Sequence, residues 1–212
     1  VVQRRRRTAF VLATAALVAM SLAPTAAQAT VSDGGTTTVP IGLPTTPTAP
    51  TRYTGPAFVI GDSVLLGART CVATKGWSYD AKGSRQALAV RDVLTSMGKK
   101  LPHLVAVHVG TNGGVTDQQI DAIMKVLGPK RIVVWVTIQL PNDGRYSHEL
   151  RSNTAIRHAA RRFPNTRLAD WNAKSEPNLA TWTWSDHIHL QPAGCRAFAT
   201  LIDSVGRAPL AA

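Results

Sequence analysis

Three short apolar runs constrain this chain more than any other feature. Ala57-Phe58-Val59-Ile60 stops at Gly61. Leu104-Val105-Ala106-Val107-His108-Val109 stops at Gly110, and Ile132-Val133-Val134-Trp135-Val136 stops at Thr137. Their β-branched content and short length mark them as strands. They are nearly continuously apolar, as strands buried on both faces are. Weaker strand patterns cover 78–81 and 167–171. Helical patterns separate them, at 64–73, 85–97, 117–127, 147–163 and 192–205. Thr116 is placed to cap the third helix, Gly128-Pro129 to stop it, Pro164 to stop the fourth and Pro192 to open the last. Strands alternating with helices give an α/β fold: a parallel sheet of about five strands covered on both faces. In such sheets ligands bind outside the carboxyl ends of the strands.

The flanks have a different character. Arg4-Arg5-Arg6-Arg7 precedes an apolar stretch at 9–23, and Ala27-Gln28-Ala29 follows as a small–x–small triplet. This pattern predicts a secretory signal peptide over 1–29. The apolar stretch is shorter than the roughly 20 residues a membrane span needs, and Pro24 follows it at once. Residues 30–55 are rich in Thr, Pro and Gly and have no apolar period, which predicts an extended tether. Residues 56–212 then make one domain, secreted or extracytoplasmic and expected at the cell envelope. The formal net charge is +12, which suits an anionic envelope surface. The basic residues are scattered, without a basic stripe interleaved with aromatics, so nucleic acid is not an expected partner.

Cys71 and Cys195 are the only cysteines. In an exported protein an even count argues for a disulfide, with two buried thiols as the alternative. Neither lies in a Cys-x-x-Cys pair, so a zinc site lacks ligands.

Chemistry-bearing residues follow the strong strands. Gly61-Asp62-Ser63 sets a hydroxyl at the start of a helix, near free amides and the positive end of the dipole. It is not the Gly-x-Ser-x-Gly elbow, because position 65 is Leu. In Gly110-Thr111-Asn112-Gly113-Gly114 the Asn112 amide can donate to an oxyanion, although a plain glycine-rich turn reads the same way. Asp186-x-x-His189, just before the last helix, can hold an imidazole on a carboxylate and turn its other nitrogen toward Ser63. His187 competes, one residue from Asp186. His103, His108, His148 and His158 are given no role. A metal held by Asp186, His187 and His189 would lack further ligands, so neither metal nor cofactor is expected.

Read in order, Gly61-Asp62-Ser63, Gly83-Ser84, Gly110-Thr111-Asn112 and Asp186-x-x-His189 resemble the SGNH/GDSL hydrolase superfamily across essentially the whole domain. The finer pattern adds Ile60 and Val64-x-Leu66-Gly67-Ala68, the stretch Asp80-Ala81-Lys82-Gly83-Ser84-Arg85-Gln86, and Asp170-Trp171. It is most similar to the extracytoplasmic SGNH domain of peptidoglycan O-acetyltransferase-type acyltransferases.

The resemblance implies a three-layer, flavodoxin-like α/β/α fold. It implies Ser63 as nucleophile, His189 as base and Asp186 as its orienter. The implied oxyanion hole combines the Ser63 amide, the amide of Gly83 or Ser84, and the Asn112 side chain. Cys71 on the first helix and Cys195 on the last become neighbours. The expected activity is a serine esterase acting on small acyl esters, acetyl foremost, carried by envelope polysaccharide or peptidoglycan. The alternatives are an O-acyltransferase with the same triad and a separate membrane acyl-donor protein, and a non-catalytic envelope-binding module. The loops at 139–147 and 177–185 are expected to set specificity.

Overall fold

In a computed structural model, which describes residues 51–209, the three apolar runs are the inner strands of a parallel sheet. They are β1 (Ala57–Gly61), β3 (Leu104–His108) and β4 (Ile132–Val136). The edges are β2 (Trp77–Ala81) and β5 (Thr166–Ala169), and the order is β2-β1-β3-β4-β5. The expected leader at 1–29 and most of the expected tether at 30–55 lie outside the described residues.

Alternation along each inner strand feeds two cores. Ala57, Val59, Leu104, Ala106, Val134 and Val136 point to one layer. Phe58, Ile60, Val105, Val107, Val133 and Trp135 point to the other. The first layer is covered by α1 (Ser63–Thr74) and the C-terminal helix, Pro192–Gly206. The second is covered by α2 (Ala87–Met97), α3 (Asp117–Leu127) and α4 (Glu149–Arg162). The three-layer SGNH hydrolase fold is therefore present.

Between β5 and the C-terminal helix, two short helices, α5 (Trp171–Ser175) and α6 (Leu179–Trp182), carry the chain across the sheet's carboxyl edge. The C-terminal helix is accordingly α7. The weak strand pattern at 167–171 ends early, because Asp170 leaves the ladder to accept the Ala173 amide as N-cap of α5. Helix α2 begins at Ala87 rather than residue 85, because Gln86 keeps an extended backbone as its N-cap. Thr116 and Gln119 form a capping box on α3, as the sequence suggests.

Cys71 on α1 and Cys195 on α7 are disulfide-bonded, with Cα atoms 5.9 Å apart. Residues 51–55, the end of the expected tether, lie against the domain. Arg52 pairs with Asp203, the Tyr53 amide donates to the Arg207 carbonyl at 3.0 Å, and Arg207 reaches back to the Gly55 carbonyl. Among the described residues no helix is long and apolar enough to cross a membrane.

Candidate active site

The strand order changes direction between β1 and β3, and the crevice outside that switch point is where open α/β sheets bind ligands. Gly61 ends β1 where a side chain has no room. A Cβ there would lie 2.8 Å from the His108 carbonyl oxygen and from the Leu65 Cβ. Asp62 follows as N-cap of α1, accepting the Val64 amide at 3.1 Å, and Ser63 is the first helical residue.

Beneath Ser63, Asp62 and His108 are both fully buried, with Asp62 Oδ1 3.3 Å from His108 Nδ1. Burial pushes the Asp62 carboxyl upward, but the His108 imidazole, the Thr111 hydroxyl and the Val64 amide outweigh it and hold the group below its ordinary range. His108 also meets Phe198 edge-on. It is thus a structural partner of the turn that carries Ser63, which no local pattern in the sequence signals.

The imidazole facing Ser63 comes from the other end of the domain. Thr183 and Leu190 form an antiparallel bridge, closed by Trp184 N–H to the His189 carbonyl and His187 N–H to the Trp184 carbonyl. His187 turns the chain with a left-handed φ of 60° and is exposed. Asp186 Oδ1 accepts the amides of Ile188 and His189, which leaves Oδ2 for His189 Nδ1 at 2.6 Å. His189 Nε2 then stands 3.0 Å from Ser63 Oγ. Partial burial pushes the Asp186 carboxyl upward. The His189 ring and the two amides outweigh that and hold it below its ordinary range.

The third loop, at 110–114, rests on α4. The Val115 amide donates to Ser152 Oγ, and His148 Nε2 lies 3.3 Å from the Thr111 carbonyl. Here Asn112 is partly buried, and its Nδ2 is shielded from solvent with no hydrogen-bond partner. Its Nδ2 is thus a donor that no protein group in the described residues engages.

The fourth loop follows β2. Arg85 is buried, and it donates to the carbonyls of Gly61 and Asp80 and to the Asp80 carboxylate at 2.6 Å. This clamp ties the loop carrying Gly83 and Ser84 to the ends of β1 and β2. Sequence reasoning assigned Arg85 no role, because its carbonyl partners are set by tertiary structure. Ser84, exposed, holds a left-handed φ of 55°, whereas Gly83 does not require glycine.

Fold and topology define a domain of the SGNH/GDSL hydrolase class. No protein-family model matches the chain. Residue for residue, it is 32% identical over 150 residues to O-acetyltransferase OatA of Staphylococcus aureus (strain NCTC 8325 / PS 47), covering 68% of this chain and 24% of that protein. Its fold matches the C-terminal catalytic domain of peptidoglycan O-acetyltransferase A (OatA) of Streptococcus pneumoniae, solved with a methylsulfonyl adduct. That match has a TM-score of 0.58 at 23% identity and covers 74% of this chain and 90% of that one. A GDSL-like lipase from Bacteroides thetaiotaomicron matches with a TM-score of 0.56 at 14% identity, covering 70% and 85% of the two chains. The homologues are thus OatA-type O-acetyltransferases, and the described domain is an SGNH domain of that type. The chain spans about a quarter of the length of the curated relatives it matches.

Proposed function

We propose that this chain is an extracytoplasmic serine esterase that removes small acyl groups, acetyl foremost, from hydroxyls of envelope glycans. One observation carries the proposal: the unbroken Asp186–His189–Ser63 hydrogen-bond chain, at 2.6 and 3.0 Å. In this mechanism Ser63 Oγ attacks the ester carbonyl carbon while His189 Nε2 takes its proton. The carbonyl oxygen becomes an oxyanion. It is met by the Ser63 amide, the amide of Gly83 or Ser84, and Asn112 Nδ2. Asp186 Oδ2 holds the Nδ1 proton and stabilises the imidazolium. His189 returns its proton to the departing sugar oxygen, which leaves acyl-Ser63. Water, deprotonated by His189, attacks the acyl carbon and releases the acid and the free serine.

A second reading has a specific motive: the relatives at 32% identity are O-acetyltransferases. A glycan hydroxyl then takes the place of water at the second step, with a membrane acyl-donor protein as a proposed partner. The residues and the acyl-enzyme are the same.

The test is hydrolysis of a chromogenic acetyl ester by the wild type beside Ser63→Ala, repeated with an oligosaccharide acceptor. Loss of at least about a thousandfold in the variant supports the nucleophile. Equal activity in both proteins would sink the triad. Acetylated oligosaccharide among the products separates transfer from hydrolysis.

A further inference from the structure

Ser63 and Asn112 follow strands, at the carboxyl edge of the sheet. At the opposite, amino edge the chain enters β3, β4 and β5 through His103, Lys130-Arg131 and Asn165. Two concavities adjoin there. Their volumes are about 420 and 360 Å³, within the range of ligand sites (~300–1,000 Å³). His103, Ile132 and Arg167 line both, so the two meet along one wall. Arg52 and Arg167 are the charged side chains of the first, and Lys130, Arg131 and Arg167 those of the second. Among the described residues no acidic side chain lines either.

Asp203 meets the charge of Arg52. The other three cations are held differently. Arg131 donates to the carbonyls of Pro102 and Leu127. Arg167 Nη1 donates to those of Val205, Gly206 and Ala208, at 3.0, 2.6 and 2.9 Å. Carbonyls fix a guanidinium without neutralising it. Arg167 Nη2 is shielded from solvent and has no hydrogen-bond partner. Burial pushes Arg167 below its ordinary range, and no neighbouring carboxylate offsets it. Lys130 is exposed at the rim and makes no side-chain hydrogen bond among the described residues. Three positive charges therefore border one concavity that supplies no negative charge of its own.

We infer that the concavity bordered by Lys130, Arg131 and Arg167 binds a phosphate oxyanion, carried by a phosphomonoester or phosphodiester. Arg131 commits Nε and Nη1 to carbonyls, which leaves Nη2 for a ligand oxygen. Lys130 adds an ammonium at the rim. Arg167 stands behind the wall, where its charge acts through a lower dielectric than a surface charge does. A phosphate spreads its charge over several acceptor oxygens, which suits donors arriving from different directions. Both guanidiniums are already ordered, so binding costs mainly the ordering of Lys130. The site is independent of the esterase reading. Five-residue strands put roughly 16 Å of sheet between it and the catalytic edge.

The test titrates the full chain with inorganic phosphate by calorimetry, with chloride holding the ionic strength constant. Saturable one-site binding is expected, weakened at least about fivefold by Lys130→Gln and by Arg131→Gln. Arg196→Gln removes one charge from an exposed position on α7 instead and should leave binding unchanged. Thermal melts without phosphate check that each variant folds. If Arg131→Gln does not, the exposed Lys130→Gln decides. A response no greater than that to added chloride overturns the site. So does equal loss in all three variants, which is a general charge effect, or no loss in Lys130→Gln. The source of the phosphate is read from two further probes. Cosedimentation with phosphatidylglycerol vesicles but not phosphatidylcholine vesicles, lost in Lys130→Gln, supports the site and assigns a lipid headgroup. Binding of a soluble glycerol phosphate oligomer without cosedimentation supports it and assigns a phosphodiester polymer. Binding of inorganic phosphate with neither supports it and restricts the ligand to monoesters.

Discussion

Asn112 carries an N–H that is shielded from water and bonded to nothing. Such a group costs free energy in the resting protein unless a ligand atom completes it. In the proposed mechanism its energetic return comes when a carbonyl oxygen gains charge. Asn112→Ala should therefore lower kcat on a chromogenic acetyl ester by about 100-fold and change KM little, because the bond strengthens only in the transition state. A change confined to KM would assign the amide to ground-state binding.

Ser84 poses the opposite question, of strain. Its left-handed backbone costs a non-glycine residue ~1–2 kcal/mol. Ser84→Val should lower the urea midpoint, because a β-branched side chain suits that region least. Ser84→Gly should hold or raise it. The left-handed backbone thus falls at Ser84, immediately before Arg85-Gln86, and not at Gly83. Which amide, Gly83 or Ser84, faces the oxyanion stays part of the proposal.

At the scale of elements, the close approach of α6 to α7 governs the loop strung between them, which carries Asp186 and His189. A Cβ at Gly194 would sit 2.0 Å from the Trp182 carbonyl oxygen, and backbone cannot yield as a side-chain tip can. Gly194→Ala must push α6 away and pull the Thr183–Leu190 bridge with it. We expect a loss of about 2 kcal/mol in stability. Ester hydrolysis should fall further than stability alone explains, because His189 moves off Ser63. Thermal melts beside activity measured well below the melting temperature check both parts.

The three inner strands were legible because burial on both faces writes an unbroken apolar run. The edges were less so. Trp77–Ala81 buries only Trp77 fully, so its sequence carries little pattern, and Thr166–Ala169 yields its last expected residues to a helix cap. Helices α5 and α6 were missed altogether. They are too short for a period, and the stacking of Trp171 on Trp182 that holds them is a tertiary contact. The Asp186–His189 contact was foreseeable from spacing, since an acid three residues before a histidine fits one turn, whereas the meeting of His189 with Ser63, 126 positions away, was expected through the SGNH/GDSL resemblance. The Arg85 clamp and the Asp62–His108 pair were not. Each joins residues distant in sequence through burial, which no local spacing encodes.

For the whole molecule, acid is the condition that loosens most at once. Asp62, Asp170, Asp186 and Asp203 all sit below their ordinary carboxyl range in the fold. Burial opposes ionisation at each. Arg157, the Ala173 amide and Thr137 overcome it at Asp170, and Trp77, Arg207 and Arg52 do so at Asp203. The unfolded chain takes up these protons first, with pKa values near ~3.9. Their stabilisation is thus complete well above pH ~4 and is lost as pH falls through the lower folded values. Partly exposed Asp186 adds less than buried Asp62, because solvent screens it. Urea midpoints should be level between pH 6 and 7 and fall steeply below pH ~4. A flat profile down to pH 3 would contradict the assignment.

The Cys71–Cys195 bridge spans 124 positions, for which chain entropy estimates roughly 4–5 kcal/mol. The double variant Cys71→Ser/Cys195→Ser should accordingly melt well below the wild type, and reductant should shift the wild type toward it. An unchanged melting temperature would mean that the packing of α1 on α7 suffices alone.

Ser63 and His189 are separated by 126 positions, nearly the length of the domain. A ribosome therefore delivers Ser63 well before His189. Contacts of such sequence separation form late, after the entropy of closing the long loop has been met. While those 126 residues are being added, the serine lies on a chain without the His189 imidazole. A nascent or truncated chain that ends before residue 186 carries a hydroxyl no more reactive than any other serine's. In the proposed mechanism activity switches on only when the last helix docks, so the appearance of ester hydrolysis during refolding would report completion of the fold itself.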